Sequence, residues 1–101
     1  MKKVKITAVR KANYDDLIAK YEKATDFVCK VSEGQEWISE NGEKPVGLCD
    51  WAWESMGLYV KTLARGGGDF FEGWMTNPNS ALISCNDGFR PVSFYIETIE
   101  E

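Results

Sequence analysis

Between residues 51 and 65, apolar side chains recur at three- and four-residue intervals: Ala52, Trp53, Met56, Val60, Leu63 and Ala64. That spacing puts them on one stripe of an α-helix. A helix of this length holds together when its stripe is covered, so the rest of the chain must supply a second layer. Asp50 is expected to cap the helix, Arg65 to complement its C-terminus, and Gly66-Gly67-Gly68 to end it. The covering layer is read from period-two alternation. Val4, Ile6 and Ala8 alternate with Lys5, Thr7 and Val9, and Val92, Phe94 and Ile96 alternate with Ser93, Tyr95 and Glu97. Both segments have the pattern of half-buried strands. Residues 35–39 and 81–85 read as shorter strands, and the last strand as residues 91–99. Asn13 is expected to cap a short helix over 14–23, in which Tyr14, Leu17, Ile18 and Tyr21 share a face. The order is β-α-β-α-β-β. It predicts an α+β fold in which one two-layer domain spans 1–101 and a mostly antiparallel sheet packs against two helices. A chain of 101 residues is too short for a second core.

The chain contains no histidine. That removes Ser-His and Cys-His catalysis, the two-histidine iron site and every mixed Cys/His zinc site. Reactive chemistry is left to Cys, Asp, Glu, Lys, Arg and Tyr. The net charge of −4 argues against a nucleic-acid partner. Five basic residues, Lys2, Lys3, Lys5, Arg10 and Lys11, nevertheless crowd the first eleven positions. At strand period they form a basic outer face, and the acidic last strand is its natural neighbour. No stretch approaches the roughly 18 apolar residues of a membrane span, and the opening residues lack the apolar core of a signal peptide. The expectation is a cytoplasmic protein with no membrane contact. Its three cysteines cannot all pair within one chain, so reduced thiols are the default.

Cys49 stands just before the long helix, where unpaired N–H groups favour an anionic sulfur and the neighbouring Asp50 opposes it. Cys85 ends a strand beside a turn, and Cys29 lies in the irregular stretch 24–34. If Cys29, Cys49 and Cys85 converge, they suit a soft metal or an iron–sulfur cluster, with Asp50 or Asp87 as a further ligand. If they do not, they are three separate small hydrophobes. Cys49, Asp50 and Asp87 are the candidates for a nucleophile or base. Arg90 has the fork to clamp a carboxylate or phosphate, and Asp87 could orient it. In the structural alternative, Asp87-Gly88 makes a turn and Arg90 pairs with an acid such as Asp50. Trp51 and Trp53 lie about 200° apart around a helix, so only one can face the core. Trp53 belongs to the stripe. Trp51 must meet a ligand, a partner, or the aromatic loop 69–75 folded over it. The triple glycine follows a helix and lacks a Lys-Ser/Thr ending, so it reads as a cap and hinge rather than a phosphate loop.

Cys49-Asp50-Trp51-Ala52-Trp53, Glu33-Gly34-Gln35-Glu36-Trp37, and Cys85 followed by Asp87-Gly88 and Arg90-Pro91-Val92 together carry a resemblance. The chain resembles an uncharacterised family of small proteins of about one hundred residues, found mostly in anaerobic bacteria and archaea. The resemblance spans the chain and implies a setting with little oxygen; no activity comes with it. Members often have Cys-Pro where this chain has Cys29-Lys30.

Three function classes follow. The first is a thiolate-centred metal, cluster or redox module that serves a larger enzyme. The second is a structural or interaction protein that forms a homodimer without a ligand. The third is a small enzyme that binds an anionic organic substrate through Arg90. The residues name no cofactor.

Overall fold

The computed structural model describes residues 1–99. The chain runs β1 (Lys3–Lys11), α1 (Asp15–Tyr21), β2 (Glu36–Ser39), α2 (Asp50–Ala64), β3 (Ser80–Ser84) and β4 (Val92–Ile99). The four strands form one antiparallel sheet in the order β2-β1-β4-β3. The fold is therefore the expected α+β arrangement in the expected order. Basic β1 does lie beside acidic β4, with Lys5 directly opposite Glu97, and on its other side Lys5 reaches Glu36 of β2 at 3.8 Å. Exposed pairs of this kind add little stability but penalise a slipped register.

The inward residues of the sheet are Val4, Ile6 and Ala8 of β1, Val92, Phe94 and Ile96 of β4, Ala81 of β3 and Trp37 of β2. Helix α2 lies on that face and buries Ala52, Met56, Gly57, Val60, Leu63 and Ala64 against it. Burial of each large aliphatic side chain contributes roughly 1.5–3 kcal/mol, and this layer is the source of the domain's stability. The two buried serines are satisfied locally: Ser39 donates to Glu43 O at 2.6 Å and Ser80 to Asn77 O at 2.7 Å.

Several local expectations change. Helix α1 buries none of its residues, so the stripe of Leu17, Ile18 and Tyr21 does not join the core and α2 alone supplies the helical layer. Asn13 does not cap α1; the cap position is Tyr14, and Asn13 bonds the Asp15 side chain instead. Asp50 is already helical, the cap position is Cys49, and no side chain closes that end. Asp50 instead pairs with Lys44 at 3.1 Å. Trp53 is half-buried, with Lys61 Nζ 5.5 Å from its ring centre.

The C-terminus of α2 is closed by the triple glycine. Gly66 has φ +91°, its N–H donates to Leu63 O at 3.0 Å, and Gly67 N–H donates to Thr62 O at 2.9 Å. This pair of bonds is a Schellman cap. Lys2 N–H also donates to Ala64 O at 2.8 Å, so α2 ends where β1 begins. Its N-terminus is thereby delivered to the opposite end of the sheet, where β1 stops and β4 starts.

Candidate functional site

Three segments meet at that end: residues 22–31 after α1, the first turn of α2, and the β3–β4 connection 85–91. They enclose a cavity of about 350 Å³. Cys29, Cys49 and Cys85 all line it, as do Trp51, Asp87 and Arg90. Residues 20 and 36 positions apart in sequence thus converge, and all three thiols are free.

Each sulfur is held differently. Cys49 is exposed at the residue before α2, where its carbonyl accepts the Trp53 N–H at 3.0 Å. Cys85 continues the β3–β4 ladder: its N–H donates to Val92 O at 3.0 Å, and Val92 N–H donates to its Sγ at 3.3 Å. Cys29 is half-buried in the irregular segment, where its carbonyl accepts a bond from Lys11 Nζ at 3.3 Å. Trp51 is 67% exposed and forms one aromatic wall. The aromatic loop does not cover it. Phe70 packs edge-on to Tyr59 and Phe71 to Trp74, so the loop spends its rings on other partners. Phe27 is the second aromatic wall.

Arg90 is not a free clamp. It donates through both terminal nitrogens to Glu22, at 3.0 and 2.6 Å. Asp87 stands 3.9 Å away, and the Phe27 ring centre lies 5.7 Å from the guanidinium carbon. The acid that pairs with Arg90 is therefore Glu22 rather than Asp50, which is engaged by Lys44 and does not line the cavity. The hydrogen bond from Arg90 holds the Glu22 carboxyl below its ordinary range, against partial burial. The same bond raises Arg90 further. Asp87 shapes the connection itself, since its Oδ1 accepts the N–H groups of Phe89 at 2.8 Å and Arg90 at 3.2 Å. Gly88 is not among the glycines with positive φ, so the side chain of Asp87, and not glycine's freedom, makes this turn.

A pH dependence follows from the Glu22–Arg90 pair. Because the folded-state pKa of Glu22 is depressed, the pair stabilises the fold above the ordinary glutamate value of 4.5 and that contribution is lost as pH falls through the lower folded value. Denaturant midpoints followed from neutral pH to below 4.5 should fall more steeply in the wild type than in Glu22→Gln. Carbon-detected NMR should also show Glu22 titrating closer to its ordinary value in Arg90→Lys. Parallel midpoints and an unmoved titration would show that the pair is electrostatically idle.

No protein-family model, curated protein or solved structure matches the chain. The site must therefore be read from its own chemistry. A volume of about 350 Å³ lies within the range of small-molecule sites and far exceeds that of a bare ion. Among the described residues, no three His, Cys, Asp or Glu side chains are arranged to hold a metal ion. Cys29, Cys49 and Cys85 thus share a cavity without a ready coordination geometry, and neither Asp50 nor Asp87 completes one with them. Among the described residues, no helix is long and apolar enough to cross a membrane.

Glu22, Phe27 and Asn86 are the site residues that sequence reasoning missed. Glu22 lies 68 positions from Arg90, and nothing in a single sequence marks that pairing. Phe27 did leave a signal: with Val28 it places two adjacent large apolar residues in the connection, and both are more than half exposed.

Proposed function

We propose that this chain is a thiol-centred binding module for a small, largely uncharged organic molecule that reacts with sulfur. We place it as an accessory to a larger enzyme in the cytoplasm of an anaerobic cell, the setting implied by the family resemblance. The observation that carries the reading is that all three cysteines of the chain line one cavity together with Trp51. Cys29 and Cys85 pack partly against the core, yet both also line the cavity, and Cys49 is exposed. The local charge supports an uncharged ligand. Among the described residues, the one cation lining the cavity, Arg90, is matched by Glu22 and approached by Asp87, so an incoming anion would have to displace a bidentate partner. This also weighs against an enzyme that grips an anionic substrate through Arg90.

The test is the alkylation of the native protein by monobromobimane, a neutral, ring-shaped thiol reagent. The rate should saturate with reagent concentration, because binding between Trp51 and Phe27 precedes reaction. Trp51→Ala should abolish saturation without changing the rate in denaturant. A rate that stays linear with reagent concentration would overturn the reading. So would stoichiometric zinc, iron or copper in anaerobically purified protein that is absent from the triple Cys→Ser variant, since the thiols would then be metal ligands.

A further inference from the structure

We propose that Cys49 and Cys29 form a dithiol pair that reduces small organic disulfides entering this cavity. The inference rests on the thiol-centred reading above and assigns separate roles to the three sulfurs.

The first observation is where each sulfur stands. Beyond Phe27 lies a second, wider cleft of about 780 Å³, lined in part by Trp37, Gln35 and Gly47. Cys29 and Cys49, with Phe27, line both spaces, whereas Cys85 lines only the first. The two shared sulfurs therefore belong to the divide between the cavities, one from each side: Cys49 from the start of α2, Cys29 from the segment after α1.

The second observation is how each is held. Cys49 is the exposed one, at the N-terminus of a fifteen-residue helix whose first-turn N–H groups no side chain closes. That exposure lets a substrate sulfur reach it. Cys29 is half-buried in a segment without helix or strand bonds, so it can approach Cys49 without breaking a ladder. Cys85 is fixed at both ends, with its N–H and its sulfur each bonded to Val92. Attack by the exposed thiol, resolution by the thiol on the irregular segment and a third held in the sheet is the assignment that these environments support.

The chemistry balances as follows. Cys49, having lost its proton to solvent, attacks one sulfur of a disulfide R–S–S–R′. A Cys49–S–S–R bond forms, the substrate S–S bond breaks, and R′–S⁻ leaves and takes a proton from solvent. Cys29 then loses its proton and attacks the Cys49 sulfur. A Cys29–Cys49 bond forms and R–S⁻ leaves and is protonated. The protein has given up two electrons and two protons, and the substrate disulfide has become two thiols. A second dithiol returns the protein to its reduced form. The aromatic walls, Trp51 and Phe27, select substituents that are apolar or aromatic and uncharged.

Dithiodipyridine, a neutral aromatic disulfide, is the probe, and Cys85→Ser is the background that removes the third thiol while keeping an acceptor for Val92. That protein should release two thiopyridones per chain, end two hydrogens lighter, and yield a peptide map linking Cys29 to Cys49. Adding Cys29→Ser should stop the reaction after one release, with the thiopyridyl group retained on Cys49. Adding Cys49→Ser should slow the first release by about tenfold or more. Thiopyridyl groups retained on both cysteines, or a disulfide joining two chains, would overturn the pair. Saturating bimane kinetics alongside either of those results would leave the binding site standing and remove only the dithiol step. Linear bimane kinetics would remove the binding reading, whichever way the disulfide map falls.

Discussion

Phe94→Ala should destabilise the domain by about 3–5 kcal/mol, read as a fall in the urea midpoint with little change in slope. Phe94 is among the largest fully buried side chains, on the strand that pairs with both β1 and β3. Its neighbours across the ladders are Ala8 and Ile83, and the small Ala8 leaves room for the ring. Trp37 packs against it with ring centres 6.0 Å apart, at an angle of 57°. Truncation removes the ring's transfer energy and leaves a cavity walled by rigid sheet, which cannot collapse. A domain of this size has about 5–15 kcal/mol in total, so the variant should sit near its unfolding threshold at 37 °C. A midpoint shift equivalent to less than about 1 kcal/mol would mean that the core is not organised around this ring.

Gly68→Ala should be the second large effect, at roughly 1–3 kcal/mol, although it adds only a methyl group. A Cβ there would stand 2.6 Å from Pro78 O and 2.9 Å from Asn79 Oδ1, and the first of these is backbone. The chain leaves α2 at this point and passes against the approach to β3, with Asp69 N–H bonded to Pro78 O at 2.7 Å. The methyl group must push those two strands of backbone apart. Gly88→Ala is the control. Nothing lies within 4 Å of its Cβ and its φ is not positive, so its urea midpoint should barely move. Equal midpoints for the two variants would refute the close approach.

The fold was legible because its signals are periodic. The α2 stripe, the alternation of β1 and β4 and the charge match between them each state a face directly. The errors came where one signal has two outcomes. The stripe of α1 has helical spacing, yet with seven residues the helix is too short to reach across the sheet. Asp50 is a good cap by type, yet the chain enters the helix one residue earlier and Lys44 takes the carboxylate. In the site, the cysteines, Trp51, Asp87 and Arg90 could be nominated by residue type, but their meeting depends on tertiary structure. The engagement of Arg90 by Glu22 belongs to the same class, because it depends on where an exposed helix comes to rest.

That helix has a consequence for how tightly the cavity can hold anything. One side of the site, Cys49, Trp51 and Cys85, is built on α2 and the β3–β4 pair, which unfold only with the core. The other side, Glu22, Phe27 and Cys29, follows a helix that buries nothing; it is held by the Arg90 ion pair, by backbone bonds from Ala12 and Tyr14 to the 89–91 stretch, by Lys11, and by Cys29 and Val31 packed on the edge of the core. With fewer fully buried contacts, that side should open at a lower free energy than the sheet and α2. Apparent affinity is then the intrinsic affinity scaled by the fraction of molecules with the wall in place. Acid should lower that fraction by removing the Glu22 charge from its pair with Arg90.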